Sequence, residues 1–190
     1  MKNFIIESID RCGKDTLISG ILNRFGYKNV LHRSKPVLLE FYKEESKDKD
    51  PLFLYQQSCF AQDMALLKII DSDANFSGII YNRSWLGEQV YSSLYRGYDG
   101  SYVFELEKIA GLDTLEQTRL ILLTEDFAAS KHFYSDGNSF DDSKRKDEQK
   151  LFLDAFNRSI IRDKRMVIVT NHVTGGFRSK KDILDEVLNG

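Results

Sequence analysis

Residues 4–16, FIIESIDRCGKDT, constrain this chain more than any other stretch. The apolar run Phe4-Ile5-Ile6 predicts a buried strand. It breaks at Ser8, passes through Asp10-Arg11-Cys12-Gly13 and reaches Lys14, after which Leu17, Ile18, Ile21 and Leu22 recur at helical spacing. In a strand, tight Gly-Lys loop and helix, backbone N–H groups and the positive helix end cradle phosphates while the lysine reaches the outer ones. The stretch therefore implies phosphoryl-transfer chemistry. The competing reading is a nucleotide-free α/β protein with a fortuitous Gly-Lys; the strand before and the helix after favour the first.

The usual pattern is G-x-x-x-x-G-K-[ST]. Here Ser8 stands in place of the first glycine and Asp15 follows the lysine, with Thr16 one place later. The residue after the lysine normally holds magnesium, so Asp15 is expected to ligate the metal directly or through water, with Thr16 as the other candidate ligand. Cys12, Gly13, Lys14, Asp15 and Thr16 are the expected contacts for ATP.

ESIDRCGKDT resembles the E-G-x-D-R-x-G-K-[ST]-T loop of the thymidylate kinases, in the class that keeps its catalytic arginine inside the loop. The resemblance implies an α/β P-loop kinase fold: a five-stranded parallel sheet with helices on both faces, a short lid, and one domain over 1–190. It also implies that Asp10 lies near the acceptor's sugar, Arg11 near the transferring phosphoryl group and Lys14 on the ATP phosphates. Positioned cations suit that chemistry, because charge spreads over the moving phosphoryl oxygens. Read without the resemblance, Arg11 can also be a solvated loop charge.

Residues 29–32 predict a second strand ending at Arg33-Ser34-Lys35-Pro36. Arg33 and Lys35 then stand at the carboxyl end of a parallel strand, where open α/β sheets bind ligands, or are ordinary loop cations. Residues 44–50 read as a solvated charge run. Residues 51–70 predict a helix with Pro51 in its first turn and Leu54, Cys59, Met64, Leu67 and Ile70 inward. Gln57, Phe60, Gln62 and Asp63 are what this helix can offer an acceptor pocket. Phe60 stacks on a pyrimidine or fills the core; Gln57 or Gln62 can hydrogen-bond a base edge. In thymidylate kinases this helix carries an arginine for the acceptor phosphate, near the position of Gln62. Here no arginine occurs between Arg33 and Arg83.

A third strand, 78–81, opens into NRSWLGEQVY, which resembles the D-R-[YFH]-x-x-S-x-x-A-[YF] stretch of the same kinases. Arg83 and Tyr91 match; Asn82 and Gly87 depart. The match implies Arg83 on the acceptor or transferred phosphate and Tyr91 closing the base pocket. Arg83-Ser84 also resembles the Glu-Arg-Ser of deoxynucleoside kinases. Asn82, replacing a carboxylate, cannot act as a base or as a charge partner for magnesium. Arg96, in an aromatic and basic turn at 94–98, is a second acceptor-site cation or a surface residue.

The remaining chain predicts a helix at 102–110, a doubly buried strand at 118–124 and a short helix over 125–130. A polar lid follows at about 132–147, where Lys144, Arg145 and Lys146 reach phosphates or face solvent. Then come a helix at 148–163, a strand at 166–170 and a closing helix at 180–188. The loop 170–177 occupies the place where the family's last strand–helix loop touches adenine.

Composition removes whole classes. With 190 residues, 42% hydrophobic and 29% charged, the chain fits one globular domain rather than a disordered segment. A net charge of −2 supplies no global field for DNA or acidic membranes, leaving only a local basic groove for such partners. No leader is legible, no apolar run approaches the roughly 18 residues of a membrane span, and Cys12 and Cys59 lack metal-ligand spacing. A cytoplasmic enzyme is expected, and the resemblance implies a homodimer.

The leading expectation is ATP- and magnesium-dependent phosphoryl transfer to a deoxythymidylate-like pyrimidine, whose phosphate ionises unaided. The missing helix arginine opens alternatives. Arg33, Lys35 or Arg96 replaces the clamp, or the acceptor is a hydroxyl: a deoxynucleoside, or 5-hydroxymethyluracil in DNA, as phosphorylated by related P-loop kinases of base-hypermodifying phages. A hydroxyl wants a nearby carboxylate, from Asp10, Glu7 or Asp63. A third reading is a catalytically degenerate nucleotide-binding sensor or scaffold, motivated by Ser8, Asp15 and Asn82.

Overall fold

Parallel neighbours in a sheet cannot be joined by tight turns, so each strand here must be followed by a long crossover. The computed structural model describes residues 2–26, 29–33, 50–129 and 142–189. Strands β1 (Asn3–Ser8), β2 (Val30–His32), β3 (Ile80–Asn82), β4 (Thr118–Thr124) and β5 (Lys164–Ile168) pair in parallel in the order β2-β3-β1-β4-β5. The helices are α1 (Lys14–Phe25), α2 (Asp50–Ser72), α3 (Leu86–Tyr91), α4 (Tyr102–Ala110), α5 (Arg145–Arg158) and α6 (Lys180–Asn189). β1 and β4 are buried at every residue. Because successive strand side chains point to opposite faces, both faces of the sheet are covered. The five-stranded parallel sheet expected from sequence is the one observed.

That order fixes where a ligand sits. β1 lies at the centre between β3 and β4, and its register pairs Ile6 with Asn82. The loop after β1 and the turn after β3 therefore emerge side by side at the carboxyl ends of the strands, the crevice where open α/β sheets bind ligands.

α2 runs from Asp50, one residue before the expected start, with Pro51 in its first turn. Its inner face carries Leu52, Gln56, Phe60, Asp63, Met64, Leu67, Ile70 and Asp71. Leu54, expected inward, is exposed: it falls between the turns defined by Leu52, Gln56 and Phe60. Asp71 accepts hydrogen bonds from Asn3 Nδ2, Thr118 Oγ1 and the Glu116 and Gln117 N–H groups, tying the end of α2 to the starts of β1 and β4.

Boundaries shift in the last third of the chain. The short helix expected at 125–130 is a turn over the described residues 125–129. Gln149 exchanges hydrogen bonds with the Glu125 backbone, and Asp126 Oδ1 accepts from the Ala128 N–H; such side-chain bonds compete with a helix. α5 occupies Arg145–Arg158 rather than 148–163. It stops at Ser159 because the buried Glu107 carboxylate takes the Ser159 hydroxyl and the Ile160 N–H, drawing the chain out of helical geometry. β5 starts two residues early, at Lys164, in register with Leu120, and Thr170 instead makes an isolated bridge to Phe177. Of the expected lid, 132–141 lie outside the described residues, as do Lys35 and most of the 44–50 run.

Glu107 also accepts from Trp85 Nε1 at 2.7 Å and is fully buried, which pushes its carboxyl above the usual range. Glu107→Ala should lower the unfolding free energy by about 3 kcal/mol, because it strands three donors in the core. Urea denaturation measures this, and a loss under about 1 kcal/mol would mean that water replaces the carboxylate.

Candidate active site

The site begins with the turn between β1 and α1. Arg11 (φ 65°) and Gly13 (φ 80°) both adopt left-handed backbone, uncommon for a residue such as Arg11. The Gly13 carbonyl accepts the first helical bond, from the Leu17 N–H at 3.0 Å. Lys14 folds back under the loop, with Nζ donating to Ser8 Oγ (2.8 Å), Ser8 O (3.1 Å) and Ile9 O (3.4 Å). Ser8, the residue in the usual glycine position, thus helps to hold the lysine. Cys12 is buried, which pushes its thiol up to about 12 and leaves it inert as a nucleophile.

Next to this loop stands the turn after β3. The Arg83 N–H donates to Ile6 O at 3.2 Å, and Arg83 itself is left-handed (φ 68°). Ser84 donates both its N–H and its hydroxyl to Glu7 Oε1, each at 2.6 Å. The Arg83 guanidinium meets Asp10 Oδ1 at 2.8 Å. Glu7 is 1% exposed, and burial raises its carboxyl above the usual value despite the Ser84 bonds and the nearby Lys14 and Arg83 charges. Gly87 leaves room above Glu7: a Cβ there would lie 3.5 Å from the Tyr91 ring and 3.9 Å from Glu7 Oε2. Tyr91 stacks on Tyr95, and the Tyr95 hydroxyl donates to Glu148.

A third wall comes from α5. Arg145 donates to the Asp10 carbonyl at 2.9 Å and pairs with Glu125 at 2.7 Å. Lys144 lies over the Tyr95 ring, 4.9 Å from its centroid, and Lys146 over Phe127 at 5.8 Å.

The structure thus gathers Glu7, Asp10, Lys14, Arg83, Tyr91 and Arg145 around one loop, with Arg11 in its backbone. Other candidates stand elsewhere. Arg33 is bound to the buried Asp63 carboxylate, its Nε at 2.7 Å from Oδ2. Arg96 is not a surface residue: it pairs with buried Glu88, which also accepts from the Tyr98 and Tyr102 hydroxyls. Arg96 ends a five-residue π-turn, Ser92–Arg96. Phe60 is in the core, Gln57 is half-buried and Gln62 is exposed with its amide on Ser58. The inward glutamine of α2 is Gln56, which the spacing Leu52-Gln56-Phe60 marks. Sequence reasoning also passed over Glu125 and the role of Ser84, although Glu125 directly follows β4 and Ser84 follows Arg83.

On the far side of the loop lies a pocket of 290 Å³, walled by Gly13, Thr16, Leu123, Phe177, Lys180 and Ile183. The expected adenine loop reaches it: the Asn171 N–H donates to Gly176 O at 2.7 Å, and the Thr170–Phe177 bridge delivers Phe177 to the wall.

The donor chemistry beside the loop suits a hard cation. Asp15 and Thr16 are exposed at the start of α1, and the Asn82 amide donates to Asp15 Oδ1 at 3.1 Å. Asn82 Oδ1 is buried without a partner. One carboxylate and neutral oxygens are what magnesium takes from a protein when phosphates and water complete its shell.

No protein-family model matches the chain, and no curated protein is significantly similar to it in sequence. Solved structures do resemble it. The YorR protein of Bacillus subtilis, in complex with phosphorylated GDP, matches with a TM-score of 0.57 at 15% identity, over 98% of this chain and 93% of that one. Thymidylate kinase from Candida albicans matches with a TM-score of 0.58 at 17% identity, over 97% and 88%. Deoxyadenosine kinase from M. mycoides, with the products dCMP and dCDP bound, matches with a TM-score of 0.55 at 14% identity, over 98% and 97%. The fold is that of the thymidylate kinase-like P-loop kinases.

Proposed function

We propose that this chain is an ATP- and magnesium-dependent kinase that transfers a phosphoryl group to a thymidylate-like pyrimidine. One arrangement carries the reading: a single loop has an apolar pocket on one side, at Gly13 and Phe177, and the Asp10–Arg83 pair on the other. Adenine fits the first, the acceptor the second, and Lys14 between them reaches the phosphates. Arg11 and Arg83 stabilise the charge that develops on the moving phosphoryl oxygens, and Arg145 fixes the loop through the Asp10 carbonyl. Tyr91 packs against the acceptor base. Magnesium, held by Asp15 with Thr16, would neutralise charge on the phosphate oxygens.

A second reading, a hydroxyl acceptor on a deoxynucleoside or on 5-hydroxymethyluracil in DNA, is favoured by charge matching. Of the expected replacements for the missing phosphate clamp, Arg33 and Arg96 are each paired with a buried carboxylate, and Lys35 lies outside the described residues. An acceptor bringing no phosphate needs no such clamp.

The test is acceptor-dependent ATP turnover with magnesium. The panel holds dTMP, the other deoxynucleoside monophosphates, thymidine, 5-hydroxymethyl-dUMP and DNA containing 5-hydroxymethyluracil. Turnover on dTMP is the expected result. Turnover only on thymidine or modified DNA selects the second reading, and no ATP consumption with any acceptor removes the kinase.

A further inference from the structure

The pocket beside Gly13 is walled mainly by apolar groups: Leu17, Leu123, Ile183 and the half-exposed ring of Phe177. Bases of one shape are told apart by fixed hydrogen-bonding groups at their edges, since adenine offers an amine where guanine offers a carbonyl. The fixed groups around this pocket are spent elsewhere. In the loop that delivers Phe177, the Asn171 N–H donates to Gly176 O at 2.7 Å and the Gly175 N–H to Asn171 O at 2.8 Å. The Val173 and Thr174 N–H groups donate to Asn171 Oδ1, and the Gly176 N–H to Thr174 Oγ1. The Arg178 N–H donates to Val169 O at 2.8 Å, and its guanidinium is committed to the Ile168 carbonyl (2.9 Å) and to Glu186 (2.7 Å). We infer that this pocket holds the donor base by stacking and apolar contact and leaves its edge unread, so that the chain takes purine nucleoside triphosphates as a class, GTP and ITP as well as ATP; this rests on the kinase reading above.

The other polar side chains on the wall, Thr16, Ser179 and Lys180, are all exposed and do not restore a preference. A hydroxyl rotates to donate or to accept, and an ammonium donates to adenine N1 as readily as to guanine O6. The Ser179 hydroxyl, moreover, already accepts from the Asp182 N–H at the start of α6. Magnitudes then decide. A site built to hydrogen-bond a substrate group rejects the analogue that lacks it by about 10⁴–10⁵, whereas an apolar pocket separates similar shapes by about 10²-fold at most. Stacking is tolerant too, because every base has a π-face. The phosphates are common to all donors, so Lys14 and the loop contribute alike whichever base is attached.

Two measurements on the full chain test this. One is calorimetric binding of ADP, GDP and IDP, with magnesium, to wild type and to Phe177→Ala. The other is kcat/KM for ATP, GTP and ITP with whichever acceptor the panel above finds active. The three wild-type affinities should agree within about tenfold, and so should the three kcat/KM values. Phe177→Ala, a change at a half-exposed position, should weaken all three diphosphates by a similar factor of about 5 or more. That shared loss assigns the binding to this pocket rather than to the acceptor side. A wild-type preference for one purine beyond about tenfold overturns the inference and leaves the kinase reading standing. So does a Phe177→Ala loss that is absent or confined to ADP. Even binding of the diphosphates without turnover on any acceptor removes the kinase reading alone, and no binding of any of them overturns both.

Discussion

Lys14→Met should abolish measurable phosphoryl transfer, with a loss of about a thousandfold or more in kcat/KM, and should leave the fold at least as stable as before. The two expectations come from one geometry. Lys14 is 8% exposed, and its Nζ is held by Ser8 and Ile9 oxygens beneath the loop that would receive the phosphates. Burial, with Arg83 nearby, pushes its ammonium below the usual lysine range, while Glu7 and Asp10 act the other way. A base whose folded value is depressed is protonated more readily in the unfolded chain. Its charge therefore opposes folding at neutral pH, and the penalty fades as pH rises through the folded value. Methionine fills the same space with no charge to desolvate. Thermal melting and steady-state ATP turnover should diverge: activity gone, melting temperature equal or higher. Turnover retained within about tenfold would show that the lysine is not the phosphate ligand. A melting temperature lowered by several degrees would make it a structural tether.

What the sequence discloses here is whatever depends on local pattern. The loop 4–16 reads directly, because strand, turn and helix signals adjoin within one short window and Gly13 stands where a left-handed φ is required. The buried strands β1 and β4 read from their apolar runs. Contacts between distant residues do not. The pairing of Asp15 with Asn82 spans 67 positions and that of Glu7 with Ser84 spans 77, and only the β1–β3 register brings them together. The partner of Arg96 is hidden for another reason: it lies in a π-turn, Ser92–Arg96, and pairs with Glu88, and no spacing rule in the sequence announces that turn. Gln56 is hard to single out as the inward glutamine because α2 is also apolar on much of its outer surface, including Leu54, Leu66 and Ile69, so only the spacing Leu52-Gln56-Phe60 marks it.

Glu7 is where acceptor chemistry and stability can be separated. Its Oε1 takes both donors of Ser84, so the carboxylate pins the turn in which Arg83 is held left-handed against Asp10. Glu7→Ala frees that turn, strands the Ser84 donors and should cost about 100-fold or more in kcat on any acceptor. Glu7→Gln keeps an acceptor for the Ser84 N–H but has no basicity. If the acceptor is a monophosphate, already ionised, Glu7→Gln should retain kcat within about tenfold; if it is a hydroxyl that needs a base, the loss should reach about 10²–10⁴-fold. Proton linkage supplies a second readout. Burial raises the Glu7 carboxyl from its ordinary 4.5, so the folded state holds this proton more tightly than the unfolded chain. The resulting stabilisation is complete below pH 4.5 and is lost as pH rises through the folded value. Glu7→Gln removes that slope from a plot of unfolding free energy against pH, leaving the slopes of Glu107 and Glu148, which burial also raises. A base at Glu7 would also give the wild-type rate an acid limb centred above 4.5 that Glu7→Gln lacks. An unchanged stability slope would show that Glu7 titrates alike in both states and that its hold on Ser84 does not depend on burial. A stability slope that flattens while the dTMP rate survives leaves Glu7 as the support of Arg83 and the acceptor as a nucleotide.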